Sequence, residues 1–189
     1  MRFTPIDRNN LDQDQQKVLE AIEHGARGNW RTKFGTIGPF GAWVRAPSVG
    51  DAIQRTGEAI RFGTSLPSNV QEVAICTVGA FYRSKFEFSA HQALAIKAGV
   101  GEAGLRQIKN GESPELPDNE LLSYQIARQM LTEHGIQDQT YRQGVKHFTQ
   151  TGMIELVATI GYYCLISLTL NSFKIPLEAD MVDPFPEDN

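Results

Sequence analysis

The chain has 189 residues, of which 41% are hydrophobic and 21% charged, so it suits one domain or one large helical unit with enough apolar material for a core. The formal net charge is −4. No cluster of Lys and Arg is present to track a phosphate backbone, which argues against a nucleic-acid partner.

Helix signals are frequent along the chain and strand signals are weak. Asp12-Gln13-Asp14-Gln15 reads as a capping-box-like start to a helix running to about His24, stopped by Gly25. A Gly-rich aromatic segment over 28–43 follows, with Trp30, Phe34, Phe40 and Trp43. It is too long and too apolar for a simple turn and is expected to be an ordered loop. Pro47 fits a first helical position, and that helix runs to Phe62 with Gly63 as its stop. Pro67 opens a helix over 68–82. Ser84-Lys85-Phe86-Glu87 matches the box S-x-x-E and starts another, ending at Gly99. A short helix over 101–109, a connector over 110–117, and helices over 118–134, 138–148 and 152–171 complete the series. The acidic, Pro-rich tail over 184–189 is expected to be loose. The prediction is an all-α, single-domain helical bundle of about seven or eight helices.

Cys76 and Cys164 both lie in apolar helical stretches, as buried reduced thiols do, and no C-x-x-C pair exists. The first residues carry no apolar leader, so a cytoplasmic location is expected. The 18 positions of 156–173 hold no charged residue, the length at which a spanning helix becomes a candidate. Thr159, Gly161, Ser167, Thr169 and Asn171 dilute that stretch, and it lacks flanking aromatic belts. A central bundle helix or an oligomer interface fits it better than a membrane span, and a homo-oligomer is expected.

Glu87 and His91 are four residues apart, so on a helix they stack on one face as a carboxylate and an imidazole. Were 68–99 one straight helix, Glu72 would lie roughly 22 Å from Glu87. A bend near Arg83-Ser84 would instead bring Glu72 toward His91. Each residue also has a structural reading. Glu87 could be only the N3 carboxylate of a capping box, His91 a satisfied half-buried histidine, and Glu72 an acid answering the helix dipole. Arg83 could pair with Glu87 at i+4 or stand as an ordinary exposed cation. His24, His134 and His147 lie near helix C-terminal ends without a partner at ligand spacing, so no metal is expected.

The run Leu66-Pro67-Ser68-Asn69-Val70-Gln71-Glu72 through Gly79, followed by Phe86-Glu87-Phe88-Ser89-Ala90-His91 through Ala98-Gly99, resembles the carboxymuconolactone decarboxylase family, whose superfamily includes the alkylhydroperoxidase D-like proteins. Gly161-Tyr162-Tyr163 and Leu170-Asn171-Ser172-Phe173 are similar to the C-terminal part of longer members. The likeness implies an alkylhydroperoxidase D-like helical domain over 46–178, with an extension over 1–45 and a tail over 179–189. The peroxidase-like branch carries C-x-x-C before its histidine; Ser84 and Glu87 stand at those positions here. Neither supplies a thiolate or a disulfide. The decarboxylase-like branch has Glu in place of the second cysteine, as this chain does.

That branch implies a carbon–carbon lyase without a cofactor, releasing CO2 from a lactone or carbonyl acid of aromatic degradation. His91, Glu87 and Glu72 would be catalytic, and Arg83 and Ser84 would contact substrate. Family relatives form dimers, trimers or hexamers. The chain departs from the shorter decarboxylase by its N-terminal extension and aromatic loop, which puts the substrate in doubt. A thiol-dependent antioxidant protein and a non-catalytic binding or assembly protein on the same fold are the alternatives.

Overall fold

The computed structural model describes residues 2, 4–26 and 34–186. Among them are eight α-helices, in order: α1 (Gln13–His24), α2 (Phe40–Val44), α3 (Pro47–Phe62), α4 (Ser68–Phe81), α5 (Lys85–Lys97), α6 (Glu102–Asn110), α7 (Asp118–Glu133) and α8 (Asp138–Phe173). Among the described residues there is no strand, so the chain is all-α, as its patterning predicts. It divides into two compact units, Met1–Thr64 with Thr169–Pro176 and Ser65–Leu168 with Leu177–Asn189. The first division falls at Thr64, and α3 packs on α1 and α2 within the first unit.

In the first unit the capping box at α1 is complete. Asp12 Oδ1 accepts from the backbone of Asp14 and Gln15 at 3.0 and 2.9 Å, and Gln15 Oε1 accepts from the Asp12 backbone at 3.2 Å. The apolar face of α1 then buries Val18, Leu19 and Ile22 against Val44, with Phe34 and Phe40 packed on them. Each such side chain contributes roughly 1.5–3 kcal/mol. The aromatic segment is therefore more than a loop: its second half forms a 3-10 turn, Phe34–Thr36, and helix α2. Edge-to-face contacts of 5.4 Å (Phe34–Phe40) and 5.3 Å (Phe40–Trp43) hold it. Trp30 lies outside the described residues. Gly50 lets α3 start hard against α2, since a Cβ there would stand 2.1 Å from the Trp43 carbonyl oxygen.

In the second unit α4 is the central helix. Every residue from Val70 to Gly79 is buried, and α4 packs on α5, α6 and α7. An apolar surface all round is what such a position requires. Val73, Cys76, Phe88, Ala95, Val100, Leu105 and Ile108 form its core together with Phe185. Over residues 184–186 Phe185 overturns the expectation of a loose tail; 187–189 lie outside the described residues. Its ring is 4% exposed and lies 5.3 Å from that of Phe88, and Asp183 Oδ2 is 2.7 Å from Lys85 Nζ. One aromatic residue and one ion pair dock the segment.

The long helix α8 is broken at Thr149 (φ 65°, ψ 174°), giving segments 138–148 and 150–173. Thr149 Oγ1 accepts from the Gly152 backbone at 3.3 Å and so caps the second segment. Among the described residues α8 alone is long and apolar enough to cross a membrane, and half of its most apolar window is buried within the protein. On the other face Ile154, Val157, Leu165 and Leu168 remain exposed.

Candidate active site

The chain turns sharply between α4 and α5. The Arg83 N–H donates to Ala80 O at 3.0 Å, and the Ser84 N–H donates to Gly79 O at 2.8 Å. This paired closure ends a helix with one left-handed residue, a place usually taken by glycine. Here it is Arg83, at φ 47°. Beyond the turn α5 passes close to α4 at Gly79, where a Cβ would meet the Phe88 backbone nitrogen at 3.3 Å. That approach carries α5 back along α4, and His91 comes to face Glu72.

Glu72, Glu87 and His91 converge as the spacing and the bend together predict. His91 Nδ1 lies 2.6 Å from Glu72 Oε2, and His91 Nε2 lies 3.0 Å from Glu87 Oε1. The imidazole is thus clamped on both nitrogens. The three residues are 3%, 4% and 9% exposed in the order Glu72, Glu87, His91, so water does little to screen their charges. Burial alone would lower the basicity of His91. The charges of Glu72 and Glu87, and the hydrogen bonds to them, outweigh it and push the ring up to about 9. The ring is therefore an imidazolium at neutral pH, donating N–H to both carboxylates. Tyr163, from the second segment of α8, packs edge-on to it at 4.9 Å between centroids.

Ser84 and Arg83 stand apart from this cluster. Ser84 is the N-cap of α5, but its hydroxyl makes no capping bond; it is fully buried, with no hydrogen-bond partner among the described residues. The capping box is not formed: the Ser84 N–H is given to Gly79 O, and the Glu87 carboxylate has turned to His91. The Ser84 hydroxyl has no exposed surface in this structure. Arg83 does not pair with Glu87 either. Its left-handed backbone puts it outside the helical register that i+4 pairing needs, and its guanidinium lies 5.0 Å over the Phe185 ring. It lines a cavity that contains none of the three clustered residues.

Neither cysteine is activated. Burial, and then the negative charges of Glu72 and Glu87, push the Cys76 thiol well above its ordinary range. Burial also raises Cys164, against a hydrogen bond with Tyr82 that lowers it. Among the described residues no group of three His, Cys, Asp or Glu side chains is arranged to hold a metal ion. The contact of Tyr163 with His91 joins residues far apart in the chain, and no local spacing announces it. Its only trace in the sequence is an aromatic pair on an uncharged helix.

No protein-family model matches this chain, and no curated protein matches it.

Proposed function

We propose that the chain is a cofactor-free carbon–carbon lyase of the carboxymuconolactone decarboxylase type, acting on a lactone or carbonyl acid, and that the Glu72–His91–Glu87 cluster handles its proton. The observation that carries this reading is the two-sided clamp, 2.6 and 3.0 Å, around one buried imidazolium. Loss of CO2 breaks a carbon–carbon bond and leaves its electron pair on the lactone carbon. The unsaturated carbonyl spreads that pair as a dienolate, and a proton must then reach carbon. A buried imidazolium held ready near neutral pH suits this delivery. Glu72, on the shorter arm, orients the ring and stabilises its charge. Nε2 and Glu87, on the longer arm, form the side from which the proton leaves. Water restores it after product release.

The remaining parts of the proposal are a cytoplasmic location, a small-molecule substrate, and self-association. The exposed row Ile154, Val157, Leu165 and Leu168 on α8 supports the last of these. The state of both thiols counts against the thiol-dependent antioxidant reading, since a peroxidatic sulfur must ionise readily.

One observation favours a second reading. All three groups are buried and satisfy one another, as in a structural clamp that locks α4 to α5 in a non-catalytic binding or assembly protein. The decisive experiment is CO2 release and ultraviolet loss from 4-carboxymuconolactone and related unsaturated lactone acids. The lyase reading expects turnover by the wild type and loss of about 100-fold or more in His91→Ala and Glu87→Gln. Turnover that survives both substitutions sinks the site assignment. Stability changes without turnover of any such acid would establish the clamp instead.

A further inference from the structure

A cavity of about 260 Å³ opens beside the turn between α4 and α5. Arg83, Lys109 and Arg128 bring three cations to its wall, and no Asp or Glu lines it. Thr77 and Ile108, both buried, are among its lining residues, and Tyr124 adds an aromatic surface. Glu112 and Asp183, outside the lining, each have a partner. Glu112 accepts from Asn110 Nδ2 at 3.1 Å, and Asp183, which lies in the field of Arg83, is bound to Lys85. Both arginines have aromatic rings under their guanidinium groups, Phe185 at 5.0 Å and Phe81 at 5.9 Å, which steadies them.

Helix C-terminal ends could account for some of this positive charge. Both α4 and α6 end at the cavity, and each brings roughly half a negative charge. Together they offset about one of the three lining cations, and the Glu112 carboxylate, bonded to a neutral amide, keeps its charge outside the lining. The cavity also faces away from the Glu72 cluster. Thr77 and Phe81 stand about 140° and 180° around α4 from Glu72.

We infer that this cavity is a binding site for a small organic dianion, a dicarboxylate with a flat apolar body, separate from the Glu72–His91–Glu87 cluster. Two guanidinium groups match carboxylates through planar paired hydrogen bonds, and Lys109 adds a point charge. Ile108, Phe81 and Tyr124 offer the apolar and aromatic surface for the body between.

Phthalate is the probe, with benzoate and the neutral phthalamide as comparators. Binding to the full chain is read by calorimetry and by backbone amide shifts. Phthalate is expected to bind saturably, more weakly as salt rises, with shifts centred on Thr77, Asn110 and Gly111. The Lys109→Gln/Arg128→Gln variant should weaken it about tenfold or more. Lys109→Glu, at a partly exposed position that folding tolerates, should do so too. The inference fails if phthalate does not saturate, if benzoate or phthalamide binds equally well, or if both variants bind like the wild type. Because no step depends on turnover, these outcomes stand apart from success or failure of the lyase reading.

Discussion

Replacing Glu72 by Gln removes one charge from the clamp while keeping an oxygen that accepts from His91 Nδ1–H. The imidazole is held at about 9 against an ordinary 6.5. That difference of about 2.5 units corresponds to roughly 3 kcal/mol favouring the protonated ring in the folded chain. Burial works against protonation, so the two carboxylates together supply more than the net rise. Removing one of them should lower His91 by more than about 1 unit. The link to stability has a definite direction. A group raised on folding contributes fully below its unfolded value, about 6.5, and the contribution is lost as pH rises through about 9. Wild-type stability should therefore decline across that window, and Glu72→Gln should flatten the decline. The assay is the pH titration of the His91 ring by nitrogen and carbon NMR, paired with urea unfolding at several pH values. A wild-type ring that titrates near 6.5, or one that carries a single N–H at neutral pH, would refute the reasoning. So would a Glu72→Gln ring that titrates like the wild type.

Under the lyase reading, turnover should fall as pH rises through about 9, where the imidazolium is lost; a profile flat across that range would remove His91 as the acid. Gly79→Val should destabilise the chain by about 1–3 kcal/mol, read by chemical unfolding. Its side chain must displace Phe88, whose backbone nitrogen is only 3.3 Å from the site of a Cβ, and the His91 titration should move toward its ordinary value as α5 shifts. Phe185→Ala should cost about 3 kcal/mol and expose the C-terminal segment to limited proteolysis, because the ring is buried against Phe88. Native Cys76 should resist thiol reagents until the chain unfolds, whereas Cys164, only partly buried, should react slowly in the folded state; rapid labelling of Cys76 would contradict its burial.

Local chemistry accounts for most of the helices. Asp12 and Gln15 meet their box within four residues, and Pro47 stands at the first turn of α3. Gly99 and Gly111 sit at positive φ just past α5 and α6, and the break in α8 at Thr149 falls between the two helices that the patterning separates. The stacking of Glu87 and His91 was legible for the same reason: i and i+4 meet on any helix. Glu72 was legible only on condition of a turn at residue 84.

Where a residue had a local and a distant partner to choose between, spacing could not decide. Glu87 took the His91 ring, which offers a charge-assisted bond, while the Ser84 N–H was already given to Gly79 O in the turn. Arg83 went to Phe185, and Tyr163 to His91, because a left-handed turn and the packing of α8 put them there. Sequence by itself determined the helices other than α2, and which side chains shared a face, since both depend on contacts within a turn or two. Only the tertiary structure decided which faces met and so how high the His91 ring was pushed, since burial and charge there come from segments far apart along the chain.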